Sequence, residues 1–267
     1  GPIERISLPV RGETLKAAEQ TEGCHIADPK GISPSSGLSR SASRKKLDLI
    51  GTVSFFPTCC LPMEDFMELS RFQTYEDLVD TVLICPLDGI VVHFITHEWL
   101  SFRHPDPSGT QLSQMQEIFQ TFADGKAKSL FSAADFQAFL TGSSSGSVGA
   151  MRSAEGSYMG RGVLEEESLK YDVSQGCVWM DYHSVPQRKS VQEFHDAIRS
   201  IPYYVERCDY FWICAPPATH EDLNESRDIS SWRGRGWCRL EEMVNFLSRT
   251  LKMPLVVTNG HRITTFG

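Results

Sequence analysis

Apolar positions along the chain fall into short runs separated by amphipathic stretches. Gly89-Ile-Val-Val-His-Phe-Ile95 is short and mostly apolar, the pattern of a strand buried on both faces. Gly176-Cys-Val-Trp-Met180, Tyr210-Phe-Trp-Ile-Cys214 and Pro254-Leu-Val-Val-Thr258 repeat that pattern. Between them, Gln111 to Phe122 carries Leu112, Met115, Ile118, Phe119 and Phe122 on one helical stripe. Val191 to Val205 reads as helix in part, with Pro202 kinking it or opening a second segment. Gly236 to Leu251 reads as a further helix. Strands alternating with amphipathic helices predict an α/β domain whose parallel sheet is covered on both faces. Ligands of such sheets sit beyond the C-terminal ends of the strands.

The same pattern divides the chain. Residues 1–47 are Ser-rich, basic around Arg40 to Lys46 and poor in apolar residues, so they read as a disordered tail. Residues 48–87 read as a helical extension packed on the domain, with Met63, Phe66, Met67 and Leu69, then Tyr75, Leu78, Val79 and Val82, at near-helical spacing. Residues 88–267 form the domain. About 80 residues separate its first two strands, where a crossover needs a dozen or so. The Gly/Ser-rich stretch 141–149 makes 123–170 read as a flexible insertion, with a short extra helix at Ser132 to Leu140.

Composition narrows the function. The chain has 267 residues and a net charge of −8, which gives no general attraction to nucleic acid or anionic membrane. No run approaches 18 consecutive apolar residues, so no membrane span is expected. Residues 1–30 contain no apolar signal core, and the eight cysteines read as free thiols, so the expected setting is cytoplasmic and reducing.

Three constellations carry polar chemistry at strand or helix ends. Phe94-Ile-Thr-His-Glu-Trp-Leu100, followed by His104-Pro-Asp-Pro107, ends the first strand. His97 and Glu98 there can bind a ligand or act as acid and base, or face water around an anchoring Trp99. Trp179-Met-Asp-Tyr-His183 ends the second strand, where Asp181 braces loop backbone or, with Tyr182 and His183, faces the crevice. In the helix opening at Gly236, Trp237, Leu240, Met243, Val244 and Leu247 fill one apolar arc, and Glu241 falls at its edge. A carboxyl against an indole wall titrates high. The plainer reading of Glu241 is an interfacial partner of Arg235 or Arg239. His97, His104 and Asp106 are too few for a structural metal site, and none is expected.

Taken in order, Phe94–His97, Trp179–Tyr182, Phe211–Pro216 and Trp237-Cys-Arg-Leu-Glu241 resemble the Toll/interleukin receptor (TIR) domain, in particular divergent TIR-like domains of multidomain protist proteins. The resemblance covers roughly residues 88–258. It implies a flavodoxin-like three-layer fold with a parallel central sheet of about four or five strands. It implies that Glu241 is the catalytic carboxylate of the members that cleave NAD⁺ at the nicotinamide–ribose bond. Thr96, His97, Trp99, Asp181 and Trp237 would then line the substrate site, with NAD⁺ a substrate and no cofactor. It equally admits a non-catalytic module that self-associates or binds other TIR-like domains.

Overall fold

The computed structural model describes residues 53–141, 166–188, 191–248 and 250–265. The segment 1–47 and residues 142–149 of the Gly/Ser-rich stretch lie outside them. In chain order the elements are β1 (Leu61–Pro62), α1 (Met63–Glu68), α2 (Tyr75–Leu78), β2 (Val92–His97), α3 (Thr110–Ala123), α4 (Ala133–Thr141) and α5 (Glu166–Ser174). There follow β3 (Cys177–Trp179), α6 (Asp181–Ser184), α7 (Gln192–Arg207), β4 (Tyr210–Cys214), β5 (Ala218–His220), β6 (Glu225–Arg227), α8 (Ile229–Gly234), α9 (Gly236–Leu247), β7 (Pro254–Asn259) and β8 (Arg262–Thr265).

The four apolar runs are the four parallel strands, in the order β3-β2-β4-β7. Numbered among themselves the order is 2-1-3-4, so the chain leaves β2 to one side and returns on the other. The sheet therefore has a switch point between β2 and β4, the place where ligands of such sheets bind. Two antiparallel edges extend it to six strands: β1 beside β3, and β8 beside β7. Pro62 is tolerated in β1 because an edge strand can leave one side of its ladder unpaired.

Each face of the sheet carries an aromatic row set by the strand register. Phe94 pairs with Trp179 and with Phe211. Its ring stacks on both, at 4.3 and 5.4 Å, and Tyr204 of α7 covers Trp179 at 5.3 Å. On the other face His93 stacks on Tyr210 at 4.8 Å, while Phe119 and Phe122 of α3 meet Trp212 edge-on. Trp212 Nε1–H donates to His93 Nδ1 at 3.2 Å. The proton of His93 therefore sits on Nε2 and is donated to the Asp172 carbonyl at 3.1 Å. Gly176 is required beside this ring: a Cβ there would meet the Asp172 oxygen at 2.5 Å and His93 Nε2 at 2.9 Å.

The extension and the insertion contribute to the same core. Phe56, Met63, Phe66 and Leu78 of the first, and Leu130, Phe136, Phe139 and Leu169 of the second, are buried with the sheet aromatics. The described parts of 123–170 are thus packed elements, since their phenylalanines and leucines cover the α3 side of the sheet. Pro202 lies inside a continuous α7. At the C-terminal end of that helix the buried Lys252 ammonium donates to the Val205 and Glu206 carbonyls and to Thr250 Oγ1, each at 2.7 Å. This satisfies groups that a helix end leaves open. Among the described residues no helix is long and apolar enough to cross a membrane.

Candidate functional site

Thr96 and His97, the last two residues of β2, point to opposite faces of the sheet. His97 faces α3. Its Nδ1 lies 2.8 Å from Gln111 Oε1, and its Nε2 lies 2.8 Å from Asp181 Oδ1. The amide nitrogen of Gln111 donates to the Glu98 carbonyl at 2.7 Å, so its oxygen is the atom turned to His97. Both His97 nitrogens therefore face acceptors, and the ring is held as an imidazolium. Burial alone would lower the His97 pKa, but the Asp181 carboxylate and the two hydrogen bonds raise it above the ordinary value. Burial likewise opposes ionisation of Asp181, and His97 and the Trp99 indole overcome it, holding its pKa below the usual range. Trp99 Nε1–H donates to Asp181 Oδ2 at 3.0 Å. Asp181 thus braces the loops that follow β2 and β3.

Glu241 approaches from the other face, on the inner side of α9, and is only 7% exposed. Thr96 points to the same face of the sheet, and its buried hydroxyl has no hydrogen-bond partner among the described residues. Burial pushes the Glu241 pKa up to about 8; Thr96 and the His97 cation oppose the rise, and the Asp181 charge adds to it. At neutral pH the carboxyl is mostly protonated. Beside it, the Cys238 thiol donates to the His97 carbonyl at 3.4 Å. Glu98, 4% exposed, accepts from Ser231 Oγ at 2.6 Å, and its other oxygen lies 3.5 Å from Arg227 Nε and 3.8 Å from Arg235 Nε. His97, Trp99 and Asp181 therefore gather on one face of the sheet at the C-terminal end of β2, with Thr96 and Glu241 on the other.

Trp237 does not join them. The arc of Trp237, Leu240, Met243, Val244 and Leu247 predicts a core face, yet α9 is rotated so that only Val244 of the five is buried. Cys238, Glu241, Val244 and Asn245 are its buried residues, while Trp237, Leu240, Met243, Phe246 and Leu247 are 41–56% exposed. The reason is polar. Beneath α9 lie the backbone of His97 and the peptide of Lys252, and these need partners. Cys238 serves the first. Asn245 serves the second, donating to the Lys252 carbonyl at 2.8 Å and accepting from its N–H at 3.1 Å. Glu241 titrates high because the domain buries it, with no indole wall involved.

The other polar groups of the two loops are structural. His183 is fully buried, touches Phe66, and is kept neutral by burial, its pKa lowered to about 4. His104 accepts from the Asp106 N–H at 3.0 Å and donates to the Phe72 carbonyl at 3.1 Å. Asp106 in turn accepts from the Leu112 N–H at 2.9 Å, in the first turn of α3. Among the described residues no group of three or more His, Cys, Asp or Glu side chains is placed to hold a metal ion. A cleft lined by Leu87, Tyr203, Arg207 and Asp209 opens at the opposite end of the sheet. Its charged groups are already engaged, Arg207 with Asp88 at 3.0 Å and Asp209 with the Val92 N–H at 2.9 Å.

Gln111 and Cys238 hold the site together, and pattern reading did not single them out. Gln111 sits in a mostly polar helix start, Ser108-Gly-Thr-Gln-Leu-Ser113, and Cys238 enters only as a position of the Trp237–Glu241 motif; neither carries a signal of its partner. No family model, curated protein or solved structure matches the chain. The resemblance to TIR domains rests on the motifs alone.

Proposed function

We propose that this chain is a flavodoxin-like, TIR-like domain that cleaves NAD⁺ at the nicotinamide–ribose bond, with Glu241 as the reacting carboxyl group. The observation that carries the reading is the burial of Glu241 at the C-terminal end of β2, beside the sheet's switch point, on the Thr96 face and near the His97–Asp181 pair. NAD⁺ brings a cationic nicotinamide ring, and bond cleavage moves positive charge onto the ribose. A carboxyl group already desolvated in the free protein, once ionised, stabilises that charge more strongly than one in water. The approaching cation favours ionised Glu241, so the proton held in the free protein leaves as substrate binds. Water then adds to the ribosyl carbon, giving nicotinamide, ADP-ribose and a proton. Thr96 shares the face of the carboxyl, His97 and Asp181 fix the loops, and Trp99 offers an aromatic wall anchored through its indole N–H. Glu241→Gln keeps the shape and removes the charge, and is expected to lower nicotinamide release at least about 100-fold.

A second reading has its own observation. The outward face of α9 presents five large apolar side chains on a helix of 12 residues. Contiguous exposure of that kind marks interaction surfaces. In this reading the domain is an interaction module that associates with its own kind or another TIR-like domain, and Glu241 is structural. Met243→Asp is expected to abolish concentration-dependent association in sedimentation velocity and to leave the melting temperature within about 2 °C of wild type, since the side chain is already exposed. A wild-type protein that stays monomeric at high concentration would remove self-association from this reading.

A further inference from the structure

Away from the site, the isolated antiparallel bridge between Cys60 and Ile84 brings two thiols together. Cys60 N–H donates to the Ile84 carbonyl at 2.8 Å, and Ile84 N–H donates back to Cys60 at 2.9 Å. In antiparallel pairing, the residues flanking such a doubly bonded pair face each other without backbone hydrogen bonds, their Cα atoms about 4.5 Å apart. Those residues are Cys59 and Cys85. The separation falls within the span of a disulfide, and the two thiols are close enough to shift each other's ionisation. Cys60 points to the other face, where it meets the buried Cys177.

The two sulfurs are not equivalent. Cys59 is fully buried, with the Tyr75 hydroxyl beside it, whereas Cys85 is partly exposed. The neighbouring Cys59 thiol lowers the Cys85 pKa, and burial opposes the shift. The Cys85 sulfur and burial push Cys59 far above the ordinary thiol range. Cys85 is therefore the accessible nucleophile and Cys59 the partner already beside it.

We propose that Cys85 and Cys59 form a peroxide-sensitive dithiol, in which Cys85 is oxidised by hydrogen peroxide and Cys59 closes the disulfide. The Cys85 thiolate attacks one peroxide oxygen. The S–O bond forms, the O–O bond breaks, and the departing hydroxide takes a proton to become water, leaving a sulfenic acid. The Cys59 sulfur then attacks the Cys85 sulfur, its proton joins the displaced hydroxide as a second water, and the S–S bond forms. One peroxide is reduced and two thiols are oxidised. The bond ties residue 59 to residue 85 around β1, α1 and α2.

The test is to expose the folded chain to equimolar hydrogen peroxide, block the remaining thiols with N-ethylmaleimide, and digest with trypsin without reduction. Arg71 lies between the two cysteines and puts them on separate peptides. The expected product is a linked pair of peptides carrying Cys59 and Cys85, retained in Cys60→Ser. In Cys59→Ser the link is lost, and dimedone traps a sulfenic acid at Cys85. Circular dichroism confirms that each variant is folded. The proposal is overturned if Cys85 is still alkylated after peroxide treatment, or if the link survives in Cys59→Ser and vanishes in Cys60→Ser.

Discussion

Phe94→Ala is expected to lower the unfolding free energy by about 3–5 kcal/mol, the range for deleting a fully buried aromatic ring. The ring is fully buried in the central strand and contacts one aromatic on each neighbouring strand. Truncation opens a cavity between Trp179 and Phe211, which are anchored in the sheet by their own strands and cannot collapse into it. Both stacked pairs are lost as well, each contributing roughly 0.5–1.5 kcal/mol beyond burial. Urea denaturation should show a lower midpoint with an unchanged slope, because the same surface is exposed on unfolding. Phe102, 68% exposed on the loop after β2, is the control. Phe102→Ala should stay within about 0.5 kcal/mol of wild type. A loss at Phe94 no larger than at Phe102 would mean that the aromatic row is not the centre of the core.

The second large effect concerns pH. Glu241 titrates near its ordinary value of 4.5 in the unfolded chain and at about 8 in the folded one. Between those values the folded state holds a proton that the unfolded state has released. Stability due to this group is therefore complete below about pH 4.5, falls as pH rises, and is fully lost above about pH 8. The loss is on the order of a few kcal/mol. Glu241→Gln has no proton to lose, so its stability relative to wild type should rise by that amount between pH 5 and pH 9. A difference that does not change with pH would place Glu241 in contact with solvent in the folded state.

The parts legible in the sequence share one property: their signal is local. Val92–His97, Cys177–Trp179, Tyr210–Cys214 and Pro254–Asn259 are apolar because both their faces are covered, so they stand out as runs. The two edge strands were missed because β1 has two residues and β8 four. β8 had a usable cue in Asn259-Gly260, a dipeptide that favours a tight hairpin turn. The rotation of α9 could not be read, because its buried face is chosen by backbone groups it meets only in the fold: that of His97, far along the chain, and that of Lys252, just past the helix end. Glu241 was singled out by its place in the motif, but its environment was misassigned. His97 and Asp181 were legible as candidates at strand ends. That Gln111 fixes the protonation of His97 was not, since this depends on which amide atom faces Glu98.

The measurement that bears most directly on Glu241 is nicotinamide release from NAD⁺, followed chromatographically with the wild-type chain and Glu241→Gln side by side. Both are assayed at high protein concentration with a crowding agent, and both are checked for folding and association. The account predicts release by the wild type and at least about a 100-fold lower rate in the variant, with equal association. Absence of release from folded, associated wild-type protein, or equal release from both, would contradict it and leave Glu241 a structural residue of an interaction domain.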